Sequence, residues 1–256
     1  MSAHPEVAAV IMAGGKSSRL GGLGQAGSKC LLGLPDDQTL LSRLVSQLRM
    51  AQIGKTVVCC SSENFSAIDS FLHAHRARAG IPKAEVEAAV CDNCSVGPRP
   101  ALAEALGKVR APWYLLCLAD VVFATPPFVK ALGHLSKRKV DGLLISGADQ
   151  MGCDGAGSGF VDCEQRTVRA ISYRPFGSRD LTVGRYRRWS GSFFFREELL
   201  LKHGNDLLKH RAAPFENWIQ ELLEQGAPAI QTVEPGPLKP RKTRRICAGG
   251  AWHLDF

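Results

Sequence analysis

The sequence has no apolar run that approaches the about 20 residues needed for a membrane-spanning helix. Residues 1–6 lack the basic and then apolar layout of a signal peptide. The nine cysteines form an odd number, which does not suit a framework of paired disulfides. We therefore expect no membrane partner and a location in the reducing cytoplasm.

Two common phosphate-binding motifs are also missing. The chain has no Gly-x-x-x-x-Gly-Lys-Ser/Thr loop, and its first glycine pair does not continue as Gly-x-Gly-x-x-Gly. This argues against a P-loop ATPase and against a dinucleotide-dependent dehydrogenase. The sequence shows no Ser-His-Asp machinery for nucleophilic catalysis either.

The most informative segment begins with an apolar run, residues 7–12, which ends abruptly at Gly14 and Gly15. A glycine pair on its own is typical of a tight turn. Glycines at a strand end also let backbone N–H groups approach a phosphate closely. Arg19 then adds a planar fork of donors, and Lys29 adds a mobile positive charge. Together these features predict a site for the polyphosphate of a nucleoside triphosphate.

Apolar segments alternate with segments of helical spacing through the first 150 residues. The predicted strands are residues 7–12, 56–60, 84–90, 113–118 and 140–146, and the predicted helices are residues 39–50, 64–77, 101–109 and 126–135. The alternation predicts an α/β fold with a Rossmann-like, mostly parallel sheet and helices on both faces. Ligands of such sheets bind beyond the carboxyl ends of the strands, where Met12, Val90 and Asp120 are placed.

The second half has a different pattern. Residues 159–162 and 167–172 are predicted as hairpin strands, residues 191–195 as a further strand, and residues 197–208 and 214–225 as helices. We expect a single domain over residues 1–256. Residues 1–150 would bind the nucleotide, and a β-rich insertion in residues 151–256 would form the acceptor side.

Cysteines occur in two predicted strands and in a Cys-x-x-Cys pair. Cys59, Cys60 and Cys117 are expected to pack as small buried hydrophobes. Cys91 and Cys94 have the spacing of half a zinc site or of a redox pair, but no second pair at the required spacing completes a zinc site.

The formal net charge of +8 is concentrated in three clusters, residues 73–78, 185–188 and 239–245. Such clusters can bind nucleic acid, with Tyr186 and Trp189 as stacking platforms. They are more often solvated surface, or they attract small polyanionic substrates. We therefore expect small-molecule substrates and no nucleic acid.

The opening segment resembles the signature of the sugar-phosphate nucleotidylyltransferases, particularly the glucose-1-phosphate thymidylyltransferase-like enzymes. The matching positions are Ala13, Gly14, Gly15, Ser18, Arg19, Leu20, Ser28, Lys29, Leu31 and Leu32. Gly21, Gly22 and Gly33 depart from the pattern, because the family usually carries prolines after Leu20 and after the paired leucines. The resemblance implies a nucleotide-diphospho-sugar transferase fold, with Arg19 and Lys29 as catalytic residues and Ala13, Gly14, Gly15 and Ser18 as nucleotide-binding residues.

Asp120 directly follows a predicted strand, where a carboxylate can bind Mg²⁺ or merely cap a turn. The resemblance favours the metal, since the family carries its metal aspartate after the same strand, with a glycine where this chain has Ala119. It implies Asp255 as a second ligand, in a Trp-His-Leu-Asp segment with one extra residue. Gly97 is similarly implied as the glycine whose loop binds the nucleotide base.

The resemblance also indicates the acceptor side. Arg174, in Ser172-Tyr-Arg-Pro175, stands where the family has a lysine that binds the acceptor phosphate. Gly191 stands in a segment similar to the family's Asn-x-Gly-x-Tyr strand at the sugar pocket, although the asparagine is missing. The tyrosine that replaces a family glutamate before Arg174 leaves the sugar contacts open.

The implied reaction joins a nucleoside triphosphate to a sugar-1-phosphate with Mg²⁺, giving a nucleotide-sugar and pyrophosphate. A molybdenum-cofactor-type guanylyl or cytidylyl transferase shares the Gly-Gly-x-Ser-x-Arg opening and a Gly-Pro base loop, but the hairpin that ends in Tyr-Arg-Pro argues against it. A non-catalytic nucleotide-sensing module is the alternative from another class. The base, the acceptor, the pathway and the oligomeric state stay open.

Overall fold

The computed structural model describes residues 4–14, 28–34, 36–121, 123, 126–148, 160–172, 186–209, 211, 213–226 and 229–234. Within these ranges the elements are β1 (Val7–Met12), α1 (Leu40–Met50), β2 (Lys55–Cys60), α2 (Ser62–Ala79), β3 (Val86–Val90), α3 (Pro98–Leu106), β4 (Trp113–Leu118), α4 (Phe128–Leu135), β5 (Gly142–Ala148), β6 (Phe160–Glu164), β7 (Thr167–Ser172), β8 (Tyr186–Arg196), α5 (Glu197–His203), α6 (Asp206–Lys209), α7 (Phe215–Glu224) and β9 (Ile230–Val233). Two short 3-10 helices, Lys29–Leu31 and Asp92–Ser95, precede α1 and α3.

The strands form one nine-stranded sheet in the order β3-β2-β1-β4-β8-β5-β9-β7-β6. β1 to β4 are mutually parallel, and β5 is parallel to β9. β8 lies antiparallel between β4 and β5. The predicted α/β fold with a mostly parallel sheet is confirmed, and β8, together with the antiparallel pairs of β6 and β7, makes the sheet mixed.

The two faces of the sheet carry separate hydrophobic cores. Along β1, Val7, Ala9 and Ile11 face one core, whereas Ala8 and Val10 face the other. The first core is closed by α1, α2 and α4, and the second by α3, α5, α6 and α7. Since both faces are covered, the central strands are apolar throughout, as is typical of parallel sheets. Helices on both faces were predicted, and this is confirmed.

The hairpin of β6 and β7 was also predicted and is confirmed. Its strands close a ring of pairings in which β5, β9, β7, β6 and β8 each contact the next. β8 begins well before the predicted residue 191, because its charged first residues pair with β5 and β6 at the rim of the sheet.

One prediction of local structure was wrong, and one strand was missed. The single helix expected over residues 197–208 is divided into α5 and α6 at Gly204 and Asn205, two poor helix formers. β9 was missed because four residues are too few for a reliable alternation pattern. None of the helices in the described ranges has both the length and the apolar character needed to cross a membrane.

Candidate active site

The carboxyl ends of the four parallel strands meet at one edge of the sheet, and the chain is held there by backbone hydrogen bonds. The N–H of Ala13 donates to Cys59 O (2.8 Å), and that of Ala119 donates to Met12 O (3.2 Å). The N–H of Cys91 donates to Cys60 O (2.9 Å). These bonds extend the sheet beyond the strand ends and fix the start of each following loop. The predicted site residues that the structure describes belong to this edge.

Lys29 and Asp120 form an ion pair at this edge, although 91 residues separate them in sequence. Each side chain is 37% exposed, so the pair is open to a ligand from solvent. Asp120 reaches this position because it follows β4 by two residues. The two charged groups predicted to act on the same phosphates are therefore neighbours.

Lys29 is positioned by the residues on either side of it. The Ser28 hydroxyl donates to Ala13 O at 3.5 Å, which ties the start of the 3-10 helix to the end of β1. Cys30 is wholly buried in the core beneath α1. Since Ser28 and Cys30 are fixed, Lys29 projects from a rigid turn. Burial raises the pKa of the Cys30 thiol, so this residue stays a neutral packing group.

Gly14 is the last described residue before the loop, and Cys94 packs directly against it. A Cβ added at Gly14 would lie 2.5 Å from Cys94 Sγ, closer than two such atoms can approach. The glycine is therefore required by the contact with the 3-10 helix Asp92–Ser95 as well as by any phosphate. Gly15, Ser18 and Arg19 lie outside the described residues, so their predicted roles remain predictions.

Gly97 joins the second 3-10 helix to α3, next to this contact. Its N–H donates to Asn93 O at 3.1 Å, and its carbonyl accepts from the N–H of Ala101. Arg99, two residues later, is wholly buried and makes two hydrogen bonds with Glu221, at 2.9 and 2.8 Å, and one with Asp206 O. The loop predicted to bind the base is therefore attached through Arg99 to α6 and α7.

Gly191 lies in a β-bulge of β8. The register shifts between Ile145 and Ser146 of the neighbouring strand, and Gly191 has a φ of +75°, in the left-handed region that favours glycine. A Cβ there would lie 2.6 Å from Leu118 Cδ1. Because Leu118 ends β4, Gly191 is placed close to the end of the strand that Asp120 follows. Arg174, the other predicted acceptor residue, lies outside the described residues.

Asp120 provides hard carboxylate oxygens at a solvent-accessible position, which suits a Mg²⁺ ion that keeps several waters. The part of the chain that the structure describes contains no group of three or more His, Cys, Asp or Glu residues arranged to hold a metal ion. Mg²⁺ commonly uses one or two carboxylates together with substrate phosphates, so the donor set fits this mode. Asp255 lies outside the described residues.

Sequence reasoning missed Ser28 as an anchor, Cys94 as the neighbour of Gly14, and Arg99 as the link to α7. The only sequence signal was position, since Ser28 and Cys94 lie within predicted motifs and Arg99 follows Gly97 by two residues. The expectation that Cys59, Cys60 and Cys117 are buried is confirmed. Burial, the largest cause, raises the pKa of Cys60 and of Cys117 to about 12.

Comparison with known proteins agrees with this architecture. A putative glucose-1-phosphate thymidylyltransferase from Bacillus anthracis, in complex with a sucrose, superposes with a TM-score of 0.73 at 17% identity, over 89% of this chain and 86% of that one. The inositol-1-phosphate CTP transferase from T. maritima gives a TM-score of 0.71 at 15% identity, over 93% and 88%. At these identities the likeness shows the fold. Comparison with curated protein sequences finds no match.

The sequence itself matches one family model over residues 9–156, more than half of the chain. The matched part contains Gly14, Lys29, Gly97 and Asp120, which are positions that the structure gathers at the carboxyl edge. The resemblance to nucleotidyltransferases found in the sequence is thereby confirmed. The chain belongs to the family of the MobA-like NTP transferase domain.

Proposed function

We propose that this protein transfers a nucleotidyl group from a nucleoside triphosphate to a sugar-1-phosphate, releasing pyrophosphate. The observation that carries the proposal is the pairing of Lys29 with Asp120 at the carboxyl edge of the sheet. The fold shared with two proteins named as transferases for glucose-1-phosphate and inositol-1-phosphate supports this acceptor class.

The acceptor phosphate is itself the nucleophile. A phosphate monoester has a second pKa near ~6 and is largely dianionic at neutral pH, so it needs no general base to attack the α-phosphorus. The protein's task is to align the two phosphates and to offset their negative charge. Lys29 donates to the triphosphate, and Arg19 provides a second, forked donor from the loop after Gly14. Asp120 releases Lys29 from their ion pair when the substrate binds.

Asp120 is also the residue that would hold Mg²⁺, with Asp255 as its second candidate ligand. The bound ion would offset charge on the triphosphate oxygens, which is the chemistry a cation of this kind supplies.

Arg174 and Gly191 form the acceptor side of the proposed site. Arg174 would bind the acceptor phosphate with two parallel hydrogen bonds. The bulge at Gly191 brings the backbone of β8 into close contact with Leu118, at the carboxyl end of β4.

A molybdenum-cofactor-type guanylyl or cytidylyl transferase is the second candidate. The match to a MobA-like NTP transferase domain is compatible with it. The two candidates share the nucleotide half and differ in the acceptor, so acceptor specificity decides between them.

A pyrophosphate-release assay tests the proposal. Each nucleoside triphosphate is paired with glucose-1-phosphate, other sugar-1-phosphates, inositol-1-phosphate or a molybdopterin acceptor, with Mg²⁺ present. Thermal shift reports binding of each triphosphate alone. We expect turnover with at least one pair. Turnover only with a molybdopterin acceptor would support the second candidate, and triphosphate binding without turnover on any acceptor would indicate a nucleotide sensor.

A further inference from the structure

Three cysteines lie together beneath the start of the phosphate loop. Cys59 and Cys91 are wholly buried, whereas Cys94 is partly exposed. The sulfur atoms of Cys59 and Cys94 are 3.8 Å apart, although 35 residues separate them in sequence. The Cys59 thiol is also 3.7 Å from Ala101 O, at the inner face of α3. The two sulfur atoms are thus in direct contact, and Cys94 is the partly exposed residue of the two.

The two thiols of this pair differ in acidity. The hydrogen bond with Cys59 lowers the pKa of the Cys94 thiol below its usual value, against the opposing effects of burial, Glu104 and Asp92. Hydrogen bonds with Cys91 and Cys94, together with burial, raise the pKa of Cys59. The thiolate is the reactive form of cysteine toward oxidants. Cys94, the partly exposed member of the pair, is therefore also the more nucleophilic one.

We propose that Cys59 and Cys94 are a modification site, at which a peroxide oxidises Cys94 and Cys59 then closes a reversible disulfide. In the first step the Cys94 thiolate attacks one peroxide oxygen and becomes a sulfenic acid, with hydroxide or alkoxide as the leaving group. In the second step the Cys59 sulfur attacks the sulfenic sulfur and water leaves. With hydrogen peroxide the balance is two thiols and one peroxide to one disulfide and two waters. A dithiol reductant reverses the change by thiol–disulfide exchange.

Closing the bond requires the distance between the two sulfur atoms to fall from 3.8 Å to about 2.05 Å, the length of a disulfide bond. Cys59 is fixed within β2, between β1 and β3, whereas Cys94 lies on a single 3-10 turn. Cys94 is therefore the residue that moves. Its sulfur is also the atom that packs against Gly14. Oxidation therefore changes the packing against Gly14, the first residue of the phosphate loop.

The consequence for catalysis rests on the proposed function, but the disulfide itself does not. The full chain is treated with hydrogen peroxide, and its disulfides are mapped by mass spectrometry of non-reduced peptides. We expect a Cys59–Cys94 bond in the wild type and in the control C163S, whose cysteine is buried in β6 far along the sheet. We expect no bond to Cys59 in C94S. A Cys91–Cys94 bond in place of this one, or intact thiols at both positions, would overturn the proposal.

The effect on the site is measured with the same samples by triphosphate binding, followed by thermal shift or calorimetry. A misplacement of about 1 Å in an active site can lower the reaction rate by on the order of 10²-fold, so groups that position phosphates tolerate little displacement. We expect at least a tenfold weaker binding after oxidation, restored by dithiothreitol, and no such change in C94S. If the disulfide forms and triphosphate binding is unchanged, the modification stands but its link to the phosphate loop is wrong. If no triphosphate binds before oxidation, the proposed function fails and the disulfide result is unaffected.

Discussion

Lys29 is the side chain on which the proposed chemistry depends most. It projects from a turn held by Ser28 and Cys30, and its partner Asp120 is part of the same site. A preorganised donor of this kind contributes through charge that develops in the transition state, so the protein can lose it and still fold. The side chain is more than one-third exposed, and its removal leaves no core cavity.

We predict that Lys29→Ala lowers the rate of nucleotidyl transfer by about 10²–10³-fold. The melting temperature should change little. Lys55→Ala is the matched control, because this exposed lysine lies at the start of β2, at the opposite edge of the sheet. Pyrophosphate release measures the rate. Near-normal turnover in Lys29→Ala would contradict the phosphate-loop assignment.

Arg174→Ala is predicted to act on the acceptor and not on the nucleotide. Loss of a charge-assisted hydrogen bond of about 1.5–3 kcal/mol raises the acceptor KM at least about tenfold and leaves the nucleotide KM almost unchanged. Arg169→Ala is the control, since Arg169 is exposed on β7 and pairs with Glu164. If the nucleotide KM rises instead, Arg174 belongs to the triphosphate.

At the scale of single residues, the sequence was a better guide to which residues belong to the candidate site than to which residues pack around them. The sequence predicted Lys29 as a phosphate-binding residue and Asp120 as a metal ligand, and the structure brings the two side chains together, although their roles stay predictions. Nothing in the sequence indicated that Cys94 would pack on Gly14, because that contact depends on where the turn after β3 lies relative to β1. A short motif identifies candidate residues from their local pattern. Contacts between separate loops depend on which strands are neighbours in the sheet, and a local pattern does not contain that information.

Among the elements, α3 and α7 are joined by an ion pair that the sequence did not reveal. Arg99 is wholly buried and Glu221 is about one-quarter exposed, so the guanidinium depends on this carboxylate for its charge balance. Removing one partner of a buried pair leaves an uncompensated charge. Exposed ion pairs contribute far less.

We predict that Glu221→Ala lowers the free energy of unfolding by about 3 kcal/mol. Glu164→Ala, which breaks the exposed pair with Arg169, should cost less than about 1 kcal/mol. Urea denaturation followed by circular dichroism measures both. Equal effects of the two variants would mean that Arg99 finds another partner or that its burial is not maintained.

Glu216 gives a second prediction for α7, this time for its dependence on pH. The residue is 6% exposed in the first turn of the helix, and burial raises the pKa of its carboxyl. Because the folded-state pKa exceeds the unfolded one, the folded state holds the proton more tightly. Stability is therefore lost as the pH rises from about the unfolded value of 4.5 through the folded pKa.

Glu216→Gln should be more stable than the wild type at neutral pH, and the difference should vanish below the unfolded pKa. Glu198→Gln is the control, an exposed glutamate in the first turn of α5. Thermal unfolding at a series of pH values measures this. A wild type that is more stable at neutral pH would show that the attraction of the helix N-terminus for the charge outweighs its burial.

The elements themselves were largely readable from the sequence in the first half. β1, α1 and β4 have continuous or helically spaced apolar residues, and the structure agrees with the predicted bounds to within one residue. The second half was less regular. β9 is too short for its bounds to be predicted from periodicity. The apolar pattern continues across Gly204, so periodicity did not show the break between α5 and α6.

For the whole molecule, the decisive feature is the position of β8. This strand pairs with both β4 and β5, and its residues Phe193, Phe194 and Phe195 are wholly buried in the two cores. β8 lies outside residues 9–156, the part that matches the family model. The matched region thus lacks a central strand of its own sheet.

We predict that a fragment of residues 1–156 does not unfold cooperatively and aggregates, because β4 and β5 would each expose an unpaired edge. Adding residues 186–234 as a separate chain should restore part of the fold. Circular dichroism and size-exclusion chromatography compare the fragment, the mixture and the full chain. A soluble fragment with a sharp transition would show that the first half is stable without β8.

The place of β8 also affects how the protein is made. A ribosome adds about 5–20 residues per second, and about 50 residues separate the end of β5 from the end of β8. For several seconds the nascent chain carries β4 and β5 without the strand that belongs between them, with three phenylalanines still to come. Slow synthesis prolongs that interval. The yield of active protein should therefore increase with chaperone supply. It should also respond to slow codons in residues 149–196, and much less to slow codons in the last twenty residues.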